Sequence, residues 1–300
     1  MTVHHMTRRS LLGATFALTA AVLFGLAIPA AKVLLGDLEA VLLTGLLYAG
    51  AAIGLGVLAV VLRRFAVLQS EPIRGAQWRW LGLSVLVGGL AAPLLLLMGL
   101  DWTPASTASL LMNIESPLTA VFAAMVFGEH VGRRLILGIT AITVGAAVVS
   151  WQGSPDGSGL LGPLVVIASS IAWALDNNIV RRVSNADPVQ IAAIRSAFAA
   201  VVYLTYSLVV GYEFPSAGVA ALCMLLGLFG FGFALVLFVL SLRTLGAARA
   251  AAFFATGPFI GAIGAVAVLG EPLTAALLVA AVLMAAGVWL VLGGAAHDRH

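Results

Sequence analysis

One carboxylic acid, Glu115, lies inside a run of apolar residues long enough to cross a lipid bilayer. Asn113, Ser116 and Thr119 lie within about one helical turn of it and give that helix polar groups on two sides. Ionisable groups in a membrane are costly and usually face a cavity or a partner. Glu115 is therefore either a protonated acid bonded to a neighbouring helix, or a cavity carboxyl that binds substrate or a proton and ionises when water reaches it.

Further polar groups lie in two later apolar segments. Asp176 and Arg195 lie roughly 8 and 10 Å from the inner ends of these segments, so they are at similar depth and can form an ion pair. Asn177 and Asn178 follow Asp176 directly and can face the same space. Trp173 lies deep in its segment, where an aromatic ring either packs in the core or stacks on a substrate. We count all of these residues as candidates for the substrate site.

Two prolines interrupt the apolar segments. Pro117 and Pro258 each remove a backbone N–H donor and free a carbonyl four residues upstream, that of Asn113 and that of Phe254. Such carbonyls either line a cavity or are satisfied by neighbours at a packing kink. Thr256, two residues before Pro258, joins the residues predicted to line the cavity.

The composition defines the setting of these residues. Of the 300 residues, 62% are hydrophobic and 9% are charged, and the mean hydropathy is +1.13. These values are typical of an integral membrane protein and exclude a soluble domain. Cys223 is the only cysteine, which excludes a disulfide framework and a Cys-ligated metal site. The histidines near the chain ends are too few for a metal site, so we expect no metal and no cofactor.

Runs of about 20 apolar residues, the length that one membrane-spanning helix needs, recur along the chain. We predict an all-α integral membrane protein with ten transmembrane helices. The opening residues also resemble a secretory or twin-arginine signal, but we assign them to helix 1 because that helix has a counterpart later in the chain. The predicted spans are 11–35, 39–62, 78–99, 104–127, 134–151, 160–181, 188–211, 218–241, 247–269 and 273–292.

The distribution of charge predicts the orientation. If the N-terminus is cytoplasmic, every one of the 15 basic residues except Lys32 and Arg195 falls in an inner tail or loop. This is the positive-inside pattern, and it also explains the basic excess without a nucleic-acid partner. The outer loops carry acidic residues and no lysine or arginine: Asp37, Glu39, Asp101, Asp156, Glu213 and Glu271. We expect both termini to be cytoplasmic.

The two halves of the chain repeat each other. At a shift of 149 residues, segment 24–32 aligns with 173–181, and at a shift of 142, Gly88 meets Gly230 and Gly145 meets Gly287. Each half has five predicted helices, so the halves must lie in the membrane with opposite orientation. Asp176 and Arg195 align with Ala27 and Leu46, so the charged pair belongs to one half only.

The fourth helix of each half carries a family resemblance. ASTASLLMNIESPLTAVFAAMVFGEHVGRRLILG in the first half and GAARAAAFFATGPFIGAIGAVAVLGEPL in the second resemble the "SLLLNLEP…LA…FGE" core of EamA-type members of the drug/metabolite transporter superfamily. One departure is that Ser116 aligns with Pro258, so Pro117 is displaced by one residue. The resemblance covers nearly the whole chain. It divides the sequence into a cytoplasmic tail (1–10), two five-helix EamA-like repeats (11–151 and 160–292) and a second cytoplasmic tail (293–300).

The resemblance implies a permease of a bacterial-type plasma membrane that moves small organic solutes, outward in many members. With Glu115 in a central cavity, we expect secondary active transport by alternating access and consider proton coupling. A lipid flippase is an alternative that the sequence does not separate from a solute exporter. A membrane enzyme acting on lipid-linked substrates needs a nucleophile, base or metal cluster at one interface, and the sequence shows none. The sequence leaves the oligomeric state open.

Three charged residues near predicted helix ends have structural interpretations. We expect Lys32 to extend its ammonium group to the outer interface. Glu129 and Glu271 precede helices 5 and 10, where free N–H groups favour a carboxylate, and Pro272 suits a first helical position.

Overall fold

The computed structural model describes residues 8–64, 73–127, 132–151, 158–183, 186–245, 250 and 253–297, which form helices and the connections between them. Ten helical segments correspond to the ten predicted spans, and short turns of 3₁₀ helix precede and follow the sixth. The first half contains α1 (Arg8–Leu35), α2 (Ala40–Arg64), α3 (Gln77–Asp101), α4 (105–127) and α5 (Arg133–Ser150). The second contains α6 (Leu161–Val180), α7 (Pro188–Val210), α8 (217–245), α9 (Gly257–Leu269) and α10 (Ala275–His297).

Seven of the described helices are long and apolar enough to cross a membrane, while α9 and the apolar part of α10 (Ala275–Val291) are shorter. α7 shows how the sequence sets helix ends. The Asp187 carboxylate accepts the Val189 N–H, Pro188 occupies the first helical turn, and Gly211 ends the helix with a φ of 83°. The prediction that Pro272 takes the first position of α10 is wrong, because Pro272 lies three residues before the first residue of that helix, Ala275.

The helices pack in a pattern that relates one half to the other. α1 packs mainly against α8 and α9 of the second half, and α6 packs in the same way against α3 and α4 of the first half. α2 packs against its repeat partner α7, and α5 packs against α10. An approximate two-fold axis in the membrane plane produces this arrangement, as expected for inverted repeats.

π-helical turns interrupt α3 and α8 at equivalent positions. They span Val85–Ala91 and Gly227–Phe233, which differ by the shift of 142 that aligns the halves. A π turn releases carbonyl groups from the regular ladder, and in a membrane these need other donors. In α3, the Tyr203 hydroxyl donates to the Leu90 carbonyl, and the Ser169 hydroxyl donates to that of Ala92 at 2.7 Å.

The fourth helix of each half is also broken at equivalent positions. α4 contains a turn of 3₁₀ helix at Met112–Ile114, and residues 255–256 form a turn before α9. Each break lies just upstream of a proline, Pro117 or Pro258, because a proline cannot sustain the helical hydrogen bond to the residue four positions earlier. The helix after this break, α9, begins at Gly257. Residues 253–254, just before the break, are also helical, and the predicted start at residue 247 lies outside the described residues.

Candidate functional site

The two helix breaks enclose a small cavity between the halves. Its walls come from α1, from the break in α4 and from the turn before α9. The volume is about 30 Å³, which holds about two water molecules. The lining residues are Phe24, Met112, Asn113, Glu115, Ser116, Phe254, Ala255 and Pro258.

Glu115 both lines this cavity and is bonded to another helix. The Asn177 amide Nδ2 of α6 donates to Glu115 Oε1 at 2.8 Å and lies 3.3 Å from Thr119 Oγ1. The Thr119 hydroxyl donates to the Glu115 carbonyl at 2.9 Å. Asn178 joins the same helices by donating to the Thr119 carbonyl at 3.1 Å. Glu115 can therefore be both an acid bonded to a neighbouring helix and a carboxyl group that lines the cavity.

Asn113 places an unpaired acceptor beside the acid. Its Nδ2 donates to the Leu110 carbonyl at 3.0 Å, whereas its Oδ1 has no hydrogen-bond partner among the residues that the structure describes. The side chain is only 2% exposed. A buried oxygen without a donor costs free energy, so this atom is a position where a ligand or water with an N–H or O–H group binds favourably.

Aromatic rings form the apolar side of the cavity. The Phe24 ring centre lies 5.6 Å from that of Phe254, 6.1 Å from Phe231 and 6.2 Å from Trp173. Phe24 and Phe254 line the cavity, while Trp173 lies behind Phe24. Such edge and tilted ring contacts are a favourable packing geometry.

The inner side of the site has an exposed polar side chain, that of Asn177. We call the end of the molecule at which α4 and α6 end the inner end, after the predicted orientation. On α6 the exposed apolar residues Leu161, Leu164, Ile171 and Leu175 follow one face. Asn177 is also exposed, but it lies about 200° around the helix from Leu175, away from that face. Asn177 is therefore exposed on the side of α6 that bonds Glu115.

The outer end is closed around the α3–α4 connection. The Lys32 ammonium donates to the carbonyls of Leu100 and Asp101, at 2.6 and 2.8 Å. The Glu271 carboxylate accepts the backbone N–H groups of Ala105 and Ser106, at 2.6 and 2.8 Å. A cation thus lies at the C-terminus of α3 and an anion at the N-terminus of α4, as the helix dipoles favour. We call these four bonds the outer clamp.

The clamp bears on two predictions. The Lys32 ammonium extends to the outer end of α3, where main-chain carbonyls bind it. Glu271 caps α4 of the other half rather than α10, which begins at Ala275. Glu129 lies outside the described residues.

Asp176 and Arg195 form their pair away from the cavity. Arg195 Nη2 lies 2.7 Å from Asp176 Oδ2, and both side chains are buried. They lie against Gly88 in the π turn of α3, where a Cβ atom would overlap the Asp176 carboxylate. At the equivalent place in the other half, a Cβ atom at Gly230 would overlap Ala27. Neither charged residue is among the cavity-lining residues.

The structure separates the predicted site residues into groups. Asn113, Glu115, Ser116 and Pro258 line the cavity, and Thr119, Asn177 and Asn178 form the adjoining hydrogen bonds. Thr256 lies in the break before α9, where its hydroxyl donates to the Phe253 carbonyl at 2.7 Å. Pro117 is buried beside the α4 break.

Sequence reasoning missed three lining residues, which carry no polar group that marks them: Phe24, Met112 and Ala255. It named Phe254 for its carbonyl but not for its ring. A signal was available for Phe24, since it aligns with Trp173 in the repeat.

Comparison with known proteins agrees with this architecture. The chain matches the EamA-like transporter family over residues 11–151 and 160–293. It is 28% identical over 300 residues to an "Uncharacterized transporter" of Methanothermobacter thermautotrophicus, covering 94% of this chain and 87% of that protein. It is 26% identical over 250 residues to the "Uncharacterized transporter YyaM" of Bacillus subtilis, covering 77% and 80%. A solved crystal structure shares the fold with a TM-score of 0.68 at 18% identity, covering 98% of this chain and 99% of that one. This chain belongs to the EamA-like transporter family.

Proposed function

We propose that this transporter carries small organic solutes by alternating access around the cavity, and that Glu115 takes up and releases a proton during the cycle. The observation that carries the proposal is the pair of helix breaks, which meet at one cavity between inverted halves. Broken helices between inverted repeats supply polar backbone at mid-membrane depth, where substrates bind in many transporters.

The two ends of α4 support a cycle with one end open at a time. Its outer part, Ala105–Leu111, is buried on every side, and the outer clamp holds its first turn. Beyond the break, residues 114–116 and 118–122 are half-buried, and Asn177 is exposed. The structure thus has the features of a state closed at the outer end, and its inverted counterpart would be closed at the inner end.

The surroundings of Glu115 favour proton exchange. The described residues that line the cavity around it are uncharged. The charge of Asp176 on α6 acts electrostatically on the Glu115 carboxyl, but Asp176 is itself paired with Arg195. A carboxyl without a cationic partner is held neutral in an apolar site and ionises when water reaches it. Alternating access supplies that change of solvation.

The test is solute flux in liposomes that contain the purified protein, with and without a pH gradient. Glu115→Gln keeps the shape and imitates the protonated form, so we expect normal insertion and loss of the pH-gradient dependence. Glu213→Gln makes the same chemical change at an exposed position and is the matched control. Wild-type flux and an unchanged pH response in Glu115→Gln would show that the carboxyl serves packing only.

We also propose that both termini lie in the cytoplasm of a bacterial-type cell. The arginines of the inner tails and loops support this orientation. Single cysteines introduced at Glu213 and Arg133, in a Cys223→Ala background, should react with an impermeant maleimide from the outside and from the inside, respectively. The reverse pattern contradicts the orientation.

A further inference from the structure

The polar atoms of the cavity are unusual in being mainly hydrogen-bond acceptors. Glu115 contributes a carboxyl group, and Asn113 contributes a buried Oδ1 that has no partner within the described part of the chain. Ser116 adds a hydroxyl group, which both donates and accepts. Among the residues that the structure describes, those lining the cavity include no lysine, arginine or histidine. A solute that satisfies this lining must bring N–H donors and a positive charge.

The apolar lining fits the same kind of solute. Phe24 and Phe254 contribute ring surfaces whose centres are 5.6 Å apart, and Trp173 supports Phe24 from behind. Aromatic faces attract cations through the ring quadrupole, and the attraction grows when water is excluded. Met112, Ala255 and Pro258 complete an apolar surface for a hydrocarbon body.

We propose that the transported solute is a small organic amine in its protonated form. The ammonium group donates to the Glu115 carboxylate and to Asn113 Oδ1, and the hydrocarbon part lies against Phe24 and Phe254. This assignment rests on the proposed transport function and names its substrate class. The cavity of about 30 Å³ must widen to admit the solute, and the half-buried part of α4 beside Asn177 is where we expect it to widen.

The site should reject solutes that carry a carboxylate. A zwitterionic amino acid would place its own carboxylate near that of Glu115, and like charges repel strongly where water is scarce. A neutral alcohol of the same shape would fill the apolar part but would not neutralise Glu115. Charge, rather than shape, should therefore decide which solute binds.

The first test uses the wild-type protein, so it does not depend on the folding of a variant. Phenethylammonium, phenethyl alcohol and phenylalanine share one aromatic body and differ in charge. Isothermal titration in detergent should show the amine binding at least about tenfold more tightly than either of the others, the size expected for a charged hydrogen bond. Equal binding of the alcohol, tighter binding of phenylalanine, or no binding of the amine overturns the proposal.

The second test uses variants. Glu115→Gln should weaken binding of phenethylammonium by about ten- to hundredfold and leave binding of phenethyl alcohol unchanged. Asn113→Leu should weaken the amine less, because a neutral acceptor is lost. Glu213→Gln should change neither. Unchanged amine binding in Glu115→Gln overturns the assignment of the ammonium contact.

Flux measurements separate this proposal from the one on which it rests. Liposomes are loaded with radiolabelled phenethylammonium, and its release is followed with wild-type protein and Glu115→Gln. Suppose that the amine binds through Glu115 but is released no faster than from loaded liposomes that lack the protein. This result supports the site and contradicts the transport function. Release of other solutes without binding of the amine supports transport and overturns the amine assignment.

Discussion

Two acids within the helices are stabilised in different ways. Asp176 lies 2.7 Å from the Arg195 guanidinium, which is an ion pair, whereas Glu115 receives a neutral amide from Asn177. An ion pair holds its carboxylate ionised, but an amide can remain bonded to either protonation state of a carboxyl. We therefore assign Asp176 to structure and Glu115 to the transport cycle.

The pair should behave as one unit in stability measurements. Asp176→Asn or Arg195→Gln alone should lower the free energy of unfolding by about 3–5 kcal/mol, because each leaves an uncompensated buried charge. The double variant should lose much less than the sum of the two. Equilibrium unfolding in mixed detergent micelles measures all four proteins. Additive losses would show that the two side chains are not coupled.

Four of the described helices carry an interruption of regular α-helical structure, and two of these interruptions border the cavity. The π turns of α3 and α8 and the breaks before Pro117 and Pro258 all occur at repeat-equivalent positions. Each π turn presents a glycine, Gly88 or Gly230, to the first helix of the opposite half. Close approach of these helices thus depends on a missing side chain in each half.

Gly88→Ala tests this dependence. The added methyl group would overlap the Asp176 carboxylate, so we expect a loss of about 1–3 kcal/mol in the free energy of unfolding. Gly82→Ala, in the same helix, adds a methyl group where no atom lies within 4 Å and should change stability by no more than about 1 kcal/mol. Thermal unfolding of both variants compares them. Equal stability would mean that α3 shifts to admit the methyl group.

The outer clamp is also a contact between helices, since it joins helix ends from both halves. Glu271→Gln should weaken the cap on α4 by about 1–2 kcal/mol, which shifts the population of the outward-open state about five- to thirtyfold. A cysteine at Ser116 in a Cys223→Ala background should then react faster with an impermeant maleimide added outside. Asp37→Asn, an exposed outer acid, is the control. No change in rate with Glu271→Gln would show that other contacts close the outer end.

Local patterns predicted most of the elements but few of the contacts between them. Apolar runs and the Gly88–Gly230 equivalence are properties of short segments, so the helix count and the repeat could be read directly. The pairing of Asp176 with Arg195 followed from their depths. The bonds of Glu271 to Ala105 and Ser106 span more than 160 positions and need the assembled fold. The Phe24 and Phe254 rings were missed because an aromatic residue in an apolar helix gives no sign of which space it faces.

Over the whole molecule, the two halves are interleaved rather than placed side by side. α1 belongs to the first half by sequence, yet its main neighbours are α8 and α9, and α6 is placed among α3 and α4. The first helix of each half therefore packs mainly within the other half. The Lys32 end of α1 adds hydrogen bonds to α3 at the outer end.

This exchange bears on how the protein is assembled as it leaves the ribosome. α1 precedes its main partners along the chain and does not meet both of them until α9, which ends at Leu269, has been inserted. Until then, α1 and its neighbours in the first half must lie in the bilayer with their polar groups incompletely hydrogen-bonded. If the chain is divided between α5 and α6, we expect either fragment alone to be degraded, and both to persist when they are co-expressed. Pulse-chase measurement of fragment lifetimes tests this, and a first fragment that is long-lived by itself would contradict it.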